Sequence, residues 1–302
     1  AVIDASGNEN ALAQGITVYE TADTIPPIAY LAGMHLDARI GILTIHTNET
    51  IDVTPTSFID INNIFLADIP GVHAPPAVTI PLSTVLDTGD GIEFNITLEA
   101  FEIAGAVAIS ATPGGDGIAM VLDLDAGAMR DLAGNPNVLA TNINVTEKPD
   151  VTPPGLLTAS IDYNDGKITL TADEPLDLTP LSLVSLQNIQ IGDQALACAV
   201  GDLSVLCSLS GLSGYENATV DQPQPDSFSL VLTLSEKQRV AAISVSNTPG
   251  GSGVLGGDGS ALIVDVKDSA VKDIATNDNL AQSSLIATET ADITVPQLTS
   301  VT

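Results

Sequence analysis

The sequence predicts an all-β chain built from tandem repeats, on three observations. Apolar and polar residues alternate in short runs, as in Ile42-Leu43-Thr44-Ile45-His46-Thr47 and Ile92-Glu93-Phe94-Asn95-Ile96-Thr97-Leu98, the period of a half-buried strand. Glycine and proline gather between these runs, where turns need them. Finally, AVIDASGNEN (1–10), AMRDLAGNPN (128–137) and AVKDIATNDN (270–279) align without gaps. Asp4, Asp131 and Asp273 are 127 and 142 residues apart, and Pro27, Pro154 and Pro296 keep the same spacings. Such self-similarity is the signature of an array.

In the first repeat the strand pattern falls at 30–33, 39–47, 58–66, 77–82, 91–98, 118–124 and 137–146. Short helical turns are expected at LEAFEIAGAV, SEKQRVAAI and AGAMRDLAG. About seven strands per repeat at this spacing predict immunoglobulin-like β-sandwiches. The second repeat follows the first: TNETIDVTP (47–55) matches ADEPLDLTP (172–180), and TLEAFEIAGAVAISATPGG (97–115) matches TLSEKQRVAAISVSNTPGG (233–251). It carries two insertions, one with the cysteines and YENATVDQPQPD, the other SGVLGG. The organisation expected is therefore repeat 1 at 21–150 and repeat 2 at 151–290. Residues 1–20 read as the last strand of a preceding repeat or an exchanged strand, and 291–302 as the start of a following repeat or a docking strand. An excerpt of a longer array and a subunit whose ends dock into neighbours both fit this pattern.

Composition excludes several classes. With 38 acidic and 8 basic residues the formal charge is -30, which repels phosphate backbones and anionic membranes, so no nucleic acid is expected as partner. No apolar run reaches the roughly 18–20 residues of a membrane helix, so no membrane insertion is expected. Enough Val, Ile, Leu and Thr are present to build a core. The opening AVIDASGNEN has no basic or apolar leader, which predicts a mature chain or an excerpt. Cys198 and Cys207 flank the turn signal Gly201-Asp202 and fall opposite each other in a hairpin centred there. Opposed positions approach disulfide distance. A disulfide implies an oxidising, extracellular setting; two buried free thiols are the alternative.

Strand direction places acids at the repeat junctions. The loop after the second strand and the loop before the seventh both lie at the end where the linker enters. In repeat 1 these carry Glu49, Asp52, Asp131, Asn135 and Asn137, joined by Glu20 and Asp23 of the linker. In repeat 2 the set is Glu174, Asp177, Asp273, Asn277 and Asn279, joined by Glu147 and Asp150. Converging carboxylates and amides suit Ca2+, which takes 6–8 oxygen ligands. Solvated loop carboxylates are the plain alternative.

Other motifs carry less. TPGGDG (112–117) and TPGGSGVLGGDG (248–259) lack the Lys-Ser/Thr ending of a phosphate loop and read as hairpin turns. Asp123 and Asp125 share a strand face and read as solvated, since Lys267 stands in the matching position of repeat 2. Asn48, Asn95, Asn144 and Asn217 head N-x-S/T sequons, acceptors for glycans in a secreted chain, with Asn217 in the most polar loop. His35, His46 and His73 have no metal-ligand spacing. Acids that recur in every repeat at junctions do not form an active site, so no enzyme is expected.

The repeat also resembles bacterial immunoglobulin-like domains of S-layer proteins and large tandem-repeat surface adhesins. The residues that carry the likeness are Asp131-Leu132-Ala133-Gly134-Asn135, Glu174-Pro175-Leu176-Asp177 and the linker Asp150-Val151-Thr152-Pro153-Pro154. Repeat 2 departs in having Thr276 where the glycine would be. The resemblance implies a cell-surface, structural or adhesive role. The expected function is a structural subunit or segment of an extracellular filament, sheath, S-layer or stalk, self-associating or continuing a longer repeat chain, with strand exchange between neighbours. The alternative is an adhesin stalk or ligand-binding module, against which the nine aromatic residues (4 Tyr, 5 Phe) weigh.

Overall fold

The computed structural model describes residues 2–11, 14–86, 89–193, 206–210, 217–221, 226–249 and 255–295. The chain is mostly β and forms two mixed sheets. The first uses β1 (Ala29–His35), β2 (Ile42–Ile51), β3 (Ile64–Ala67), β4 (Val78–Thr79), β5 (Thr84–Leu86), β6 (Gly91–Thr97), β7 (Val121–Leu124) and β8 (Ala140–Lys148), with helix α1 (Ala100–Ala108) between β6 and β7. The second uses β9 (Leu156–Asp162), β10 (Lys167–Leu176), β11 (Ile189–Gly192), β12 (Thr219–Val220), β13 (Ser227–Thr233), β14 (Ile263–Val266) and β15 (Gln282–Thr290), with α2 (Glu236–Ser244) before β14.

The strand orders are β4-β3-β7-β8-β1-β2-β6-β5 and β11-β14-β15-β9-β10-β13-β12. The second is the first without β4. All neighbours are antiparallel except β1 with β8 and β9 with β15. Each sheet curls at its last strand. In β8, residues 140–144 pair with β7, whereas Val145 to Lys148 pair with β1; β15 divides in the same way between β14 and β9. The curl lets two faces enclose a core. Leu43, Ile45, Phe94 and Ile96 come from β2 and β6, and Ile64, Leu66, Leu122 and Leu124 from β3 and β7. Ile168, Leu170, Leu230, Leu232, Ile189, Ile191, Val264 and Val266 repeat the arrangement. Inward residues alternate along β2 and β6, as the pleat requires, while all four residues of β3 are buried.

One device shapes both curls. Asn142 and Ser284 sit at φ 65° and 67°, a left-handed conformation uncommon outside glycine. The amide of Asn142 donates to Asp123 Oδ1 at 2.8 Å, and that of Ser284 to Asp265 Oδ1 at 2.7 Å. Asp123 is fully buried and also accepts from the Gly71 amide, so it braces the bulge and is not on a solvated face. Asp123→Asn should weaken both bonds and lower stability by about 1–2 kcal/mol. Thermal denaturation checks this, with Asp125→Asn, a half-exposed neighbour, as the near-neutral control.

Several expected elements change in the structure. Residues 58–66 do not form one strand. Instead, 3-10 turns at Thr56–Phe58 and Ile61–Asn63 precede β3. The Asp60 carboxylate takes the Asn62 amide and both Asn62 and Asn63 side chains, a local alternative to the ladder. AGAMRDLAG is a turn rather than a helix, whereas LEAFEIAGAV and SEKQRVAAI supply α1 and α2. Both helices start on capping residues. Glu102 accepts from the Glu99 amide, and Ser235 and Gln238 bond reciprocally. Among the described residues of 1–20 no strand forms. Residues 2–11 make a closed turn with an Ile3–Glu9 bridge. Residues 291–295 form no regular element, and the rest of 291–302 lies outside the described residues.

The two repeats interlock. Ala275 belongs to the core cluster of the first sheet, and Ile274 packs against it. A Cβ on Gly114, in the TPGG loop, would lie 2.1 Å from the Ile274 carbonyl oxygen. Phe101 of α1 meets Phe228 of β13 edge-on, with centroids 5.7 Å apart.

Candidate metal centre

The three aligned Asp-x-x-x-Asn motifs fold alike. In each, the aspartate Oδ1 accepts the amide of the asparagine four residues on, at 2.9 Å for Asp4, 2.8 Å for Asp131 and 2.8 Å for Asp273. Oδ2 accepts the asparagine side chain at 3.0, 2.7 and 2.9 Å. A second asparagine closes each loop, with its Oδ1 accepting from Val2, Met129 or Val271. The linkers are built alike too. The carboxylates of Asp23, Asp150 and Asp292 each accept the amide two residues on. Turn and linker thus present carboxylates in fixed orientations.

The structure brings six of the twelve anticipated residues together, in two sets of three. One carboxylate oxygen from each of Asp23, Glu49 and Asp131 lies within 4.8 Å of the others, and the same holds for Asp150, Glu174 and Asp273. The sets occupy matching positions, with Asp23 and Asp150 127 apart, Glu49 and Glu174 125 apart, and Asp131 and Asp273 142 apart. They differ in cover. Asp23 is exposed and Glu49 half-buried, whereas Asp150, Glu174 and Asp273 are 4%, 1% and 2% exposed. The cover over the second set comes from repeat 1, and Asp150, Glu174 and Asp273 line a cleft there with Leu36 and Ile103.

Arg39, in the turn between β1 and β2, reaches across the junction. Its Nη2 donates to Glu174 Oε1 at 2.6 Å and to the Pro153 carbonyl at 2.6 Å, and its Nε lies 3.3 Å from Asp173 Oδ2. Beside it, Thr152 Oγ1 donates to Asp37 Oδ2 at 2.7 Å. Burial and the neighbouring Asp150 raise the Glu174 pKa to about 8 despite Arg39. Burial also raises Asp273 to about 6, against the hydrogen bonds from Asn277, and it raises Asp150. In the first set, burial with Asp23 and Asp131 raises Glu49. Burial works against Asp131 too, but the Asn135 bonds hold it below its usual value.

The other anticipated ligands are engaged elsewhere. Asp52 pairs with Arg130 at 2.9 Å, under a guanidinium that also stacks on Phe58. Glu147 accepts the Met120 and Ala111 amides. Asp177 accepts the Thr179 amide. Asn135 and Asn277 donate their side-chain Nδ2 to Asp131 and Asp273 and so orient those carboxylates. Glu20 is exposed and outside both sets.

Of the sequon asparagines, Asn48, Asn144 and Asn217 are exposed, while Asn95 is half-buried in β6 and accepts from Thr44 Oγ1 at 2.6 Å. Cys198 lies outside the described residues, and its expected pairing with Cys207 goes with it; Cys207 is buried. Sequence reasoning passed over Arg39. The signal for it is LDARIG, two residues longer than the matching YNDG. Protein-family models and curated proteins return no match to this chain.

Proposed function

We propose that this chain is a structural element of an extracellular filament, sheath, S-layer or stalk, built from stacked immunoglobulin-like sandwiches. The observation that carries the reading is the junction, where a residue of repeat 2, Ala275, is buried in the core of repeat 1 and Arg39 of repeat 1 pairs with buried Glu174 of repeat 2. Both contacts oppose free hinging between the repeats, which suits a stiff stack. In repeat 1, β3, β7 and the first half of β8 serve as one layer of the sandwich and β1, β2, β6 and the rest of β8 as the other; β11, β14, β15, β9, β10 and β13 divide in the same way in repeat 2. The acids recur at equivalent junctions, which fits architecture rather than catalysis. The formal charge of -30 fits a cation-rich exterior.

Self-association or continuation of the array has its own support. Ile16 and Val18 stand 127 residues before Ile143 and Val145, which are buried in β8, yet they are 74% and 75% exposed. That is the pattern of a strand suited to another sheet. Immunogold labelling of intact cells with antibody to this chain tests the proposal. Label is expected along surface filaments or layers, and diffuse intracellular label would reject it.

A further inference from the structure

We infer that Asp150, Glu174 and Asp273 bind one calcium ion at the junction of the two repeats. Acidic clusters are common on surfaces, but this one is not on the surface: all three residues are at most 4% exposed. A second, independent observation comes from Glu174. Its Oε1 is occupied by Arg39, while its Oε2 is buried and has no hydrogen-bond partner among the described residues. A buried carboxylate oxygen left unpaired is costly, and a cation between the three side chains removes that cost. The three also border a small cleft whose other lining residues, Leu36, Ile103 and Ala275 among them, are apolar, a setting in which unneutralised charge is costly.

The chemistry of the donors narrows the ion. All are hard oxygens, which select against soft-ligand metals. Three carboxylate oxygens within 4.8 Å of one another in a buried, irregular setting suit calcium, whose shell is flexible, whereas magnesium demands near-ideal octahedral geometry and usually keeps several waters. Arg39 is a positioning residue, holding one Glu174 oxygen so that the other faces the ion. Since Asp150 is in the linker, Glu174 and Asp273 are in repeat 2 and Arg39 is in repeat 1, the ion ties all three parts together. Asp23, Glu49 and Asp131 are the less covered counterpart, with only Asp131 fully buried and Glu49 Oε1 likewise unpartnered, and they form a weaker site.

Binding itself does not depend on the proposed cell-surface role, which supplies only the use of the ion. The test is calorimetric titration of calcium chloride into the EDTA-treated full chain. One ion is expected to bind with Kd of about 10⁻⁵–10⁻³ M, a second at least about tenfold more weakly, and magnesium more weakly than calcium. Glu174→Gln, close in shape and able to keep the Arg39 bond, should abolish the tighter step. Asp177→Asn, an acid outside the cluster, should leave it intact. Absence of heat up to about 10 mM calcium, beyond the weakest extracellular modules, would overturn the inference, as would a tight step that survives Glu174→Gln. If the variant does not fold, the wild-type melting temperature decides. A rise with calcium but not with sodium chloride of equal ionic strength supports the site, and equal response rejects it. Immunogold failure with calcium binding intact would reject the cellular role alone.

Discussion

Gly114→Ala should uncouple the two repeats. Gly114 has φ +89°, where an L-residue is strained, and its added Cβ would meet backbone atoms of the other repeat, Ile274 O at 2.1 Å and Ala275 Cα at 2.9 Å. Backbone cannot rotate out of the way as a side chain can. The clash is relieved only if the TPGG loop leaves the turn at 273–276, which also uncovers Ala275. Strain contributes about 1–2 kcal/mol and overpacking about 1–3 kcal/mol, together enough to open an interface of this kind. Calorimetry should then show separate transitions for the repeats, and small-angle scattering a broader distance distribution. Gly117→Ala is the control. Gly117 has φ +87° but nothing within 4 Å of the added Cβ, so it carries strain alone. Equal behaviour of the two variants would show that the close approach is not what holds the junction.

The metal-free protein should lose stability as pH rises from about 5 to 8. Glu174 has an ordinary value of 4.5 and a folded value of about 8. Between those limits the folded chain holds a proton that the unfolded chain has released. Stability therefore falls with pH, is greatest below about 4.5 as far as this group is concerned, and is lost through about 8. Asp273, raised to about 6, adds to the lower half of the window. The groups that face Glu174 are Asp150, Asp273 and Asp173, opposed by Arg39. The combined fall should be on the order of 5 kcal/mol, read as a drop in melting temperature in EDTA. Glu174→Gln should flatten most of the slope. A slope unchanged by that substitution would show that the carboxyl ionises without penalty.

The repeats were legible in the sequence because each is a whole supersecondary unit, and matching residues do matching work. Asp131 and Asp273 cap the same turn, and Glu49 and Glu174 face the same place. The linker acids Asp23 and Asp150 were legible for the same reason. Glu147 was misassigned to the junction, although strand parity held the answer. It follows Ile143 and Val145 by four and two positions, so it shares their inward face and satisfies the amides of buried Met120 and of Ala111. Asp60 turned an apparently continuous strand into two turns because a short carboxylate competes with ladder partners, a local effect that hydrophobic alternation does not register. Arg39 and Gly114 were invisible for another reason. Their partners, Glu174 and Ile274, lie in the other repeat, and no local pattern in one repeat announces a contact with the next.

The parallel pairing of first and last strands has a mechanical consequence. Ala32 lies beside Val145 and His35 beside Lys148, and Ala159 beside Ala287 in the second sheet. The chain therefore enters each repeat at one end of this ladder and leaves at the other. Tension along the backbone drags β1 and β8 past each other lengthwise. Their hydrogen bonds are loaded together in shear, not opened one at a time as in an unzipping hairpin. The remaining strands lie outside the force path and serve as a shock-shielded brace for that single two-strand clasp.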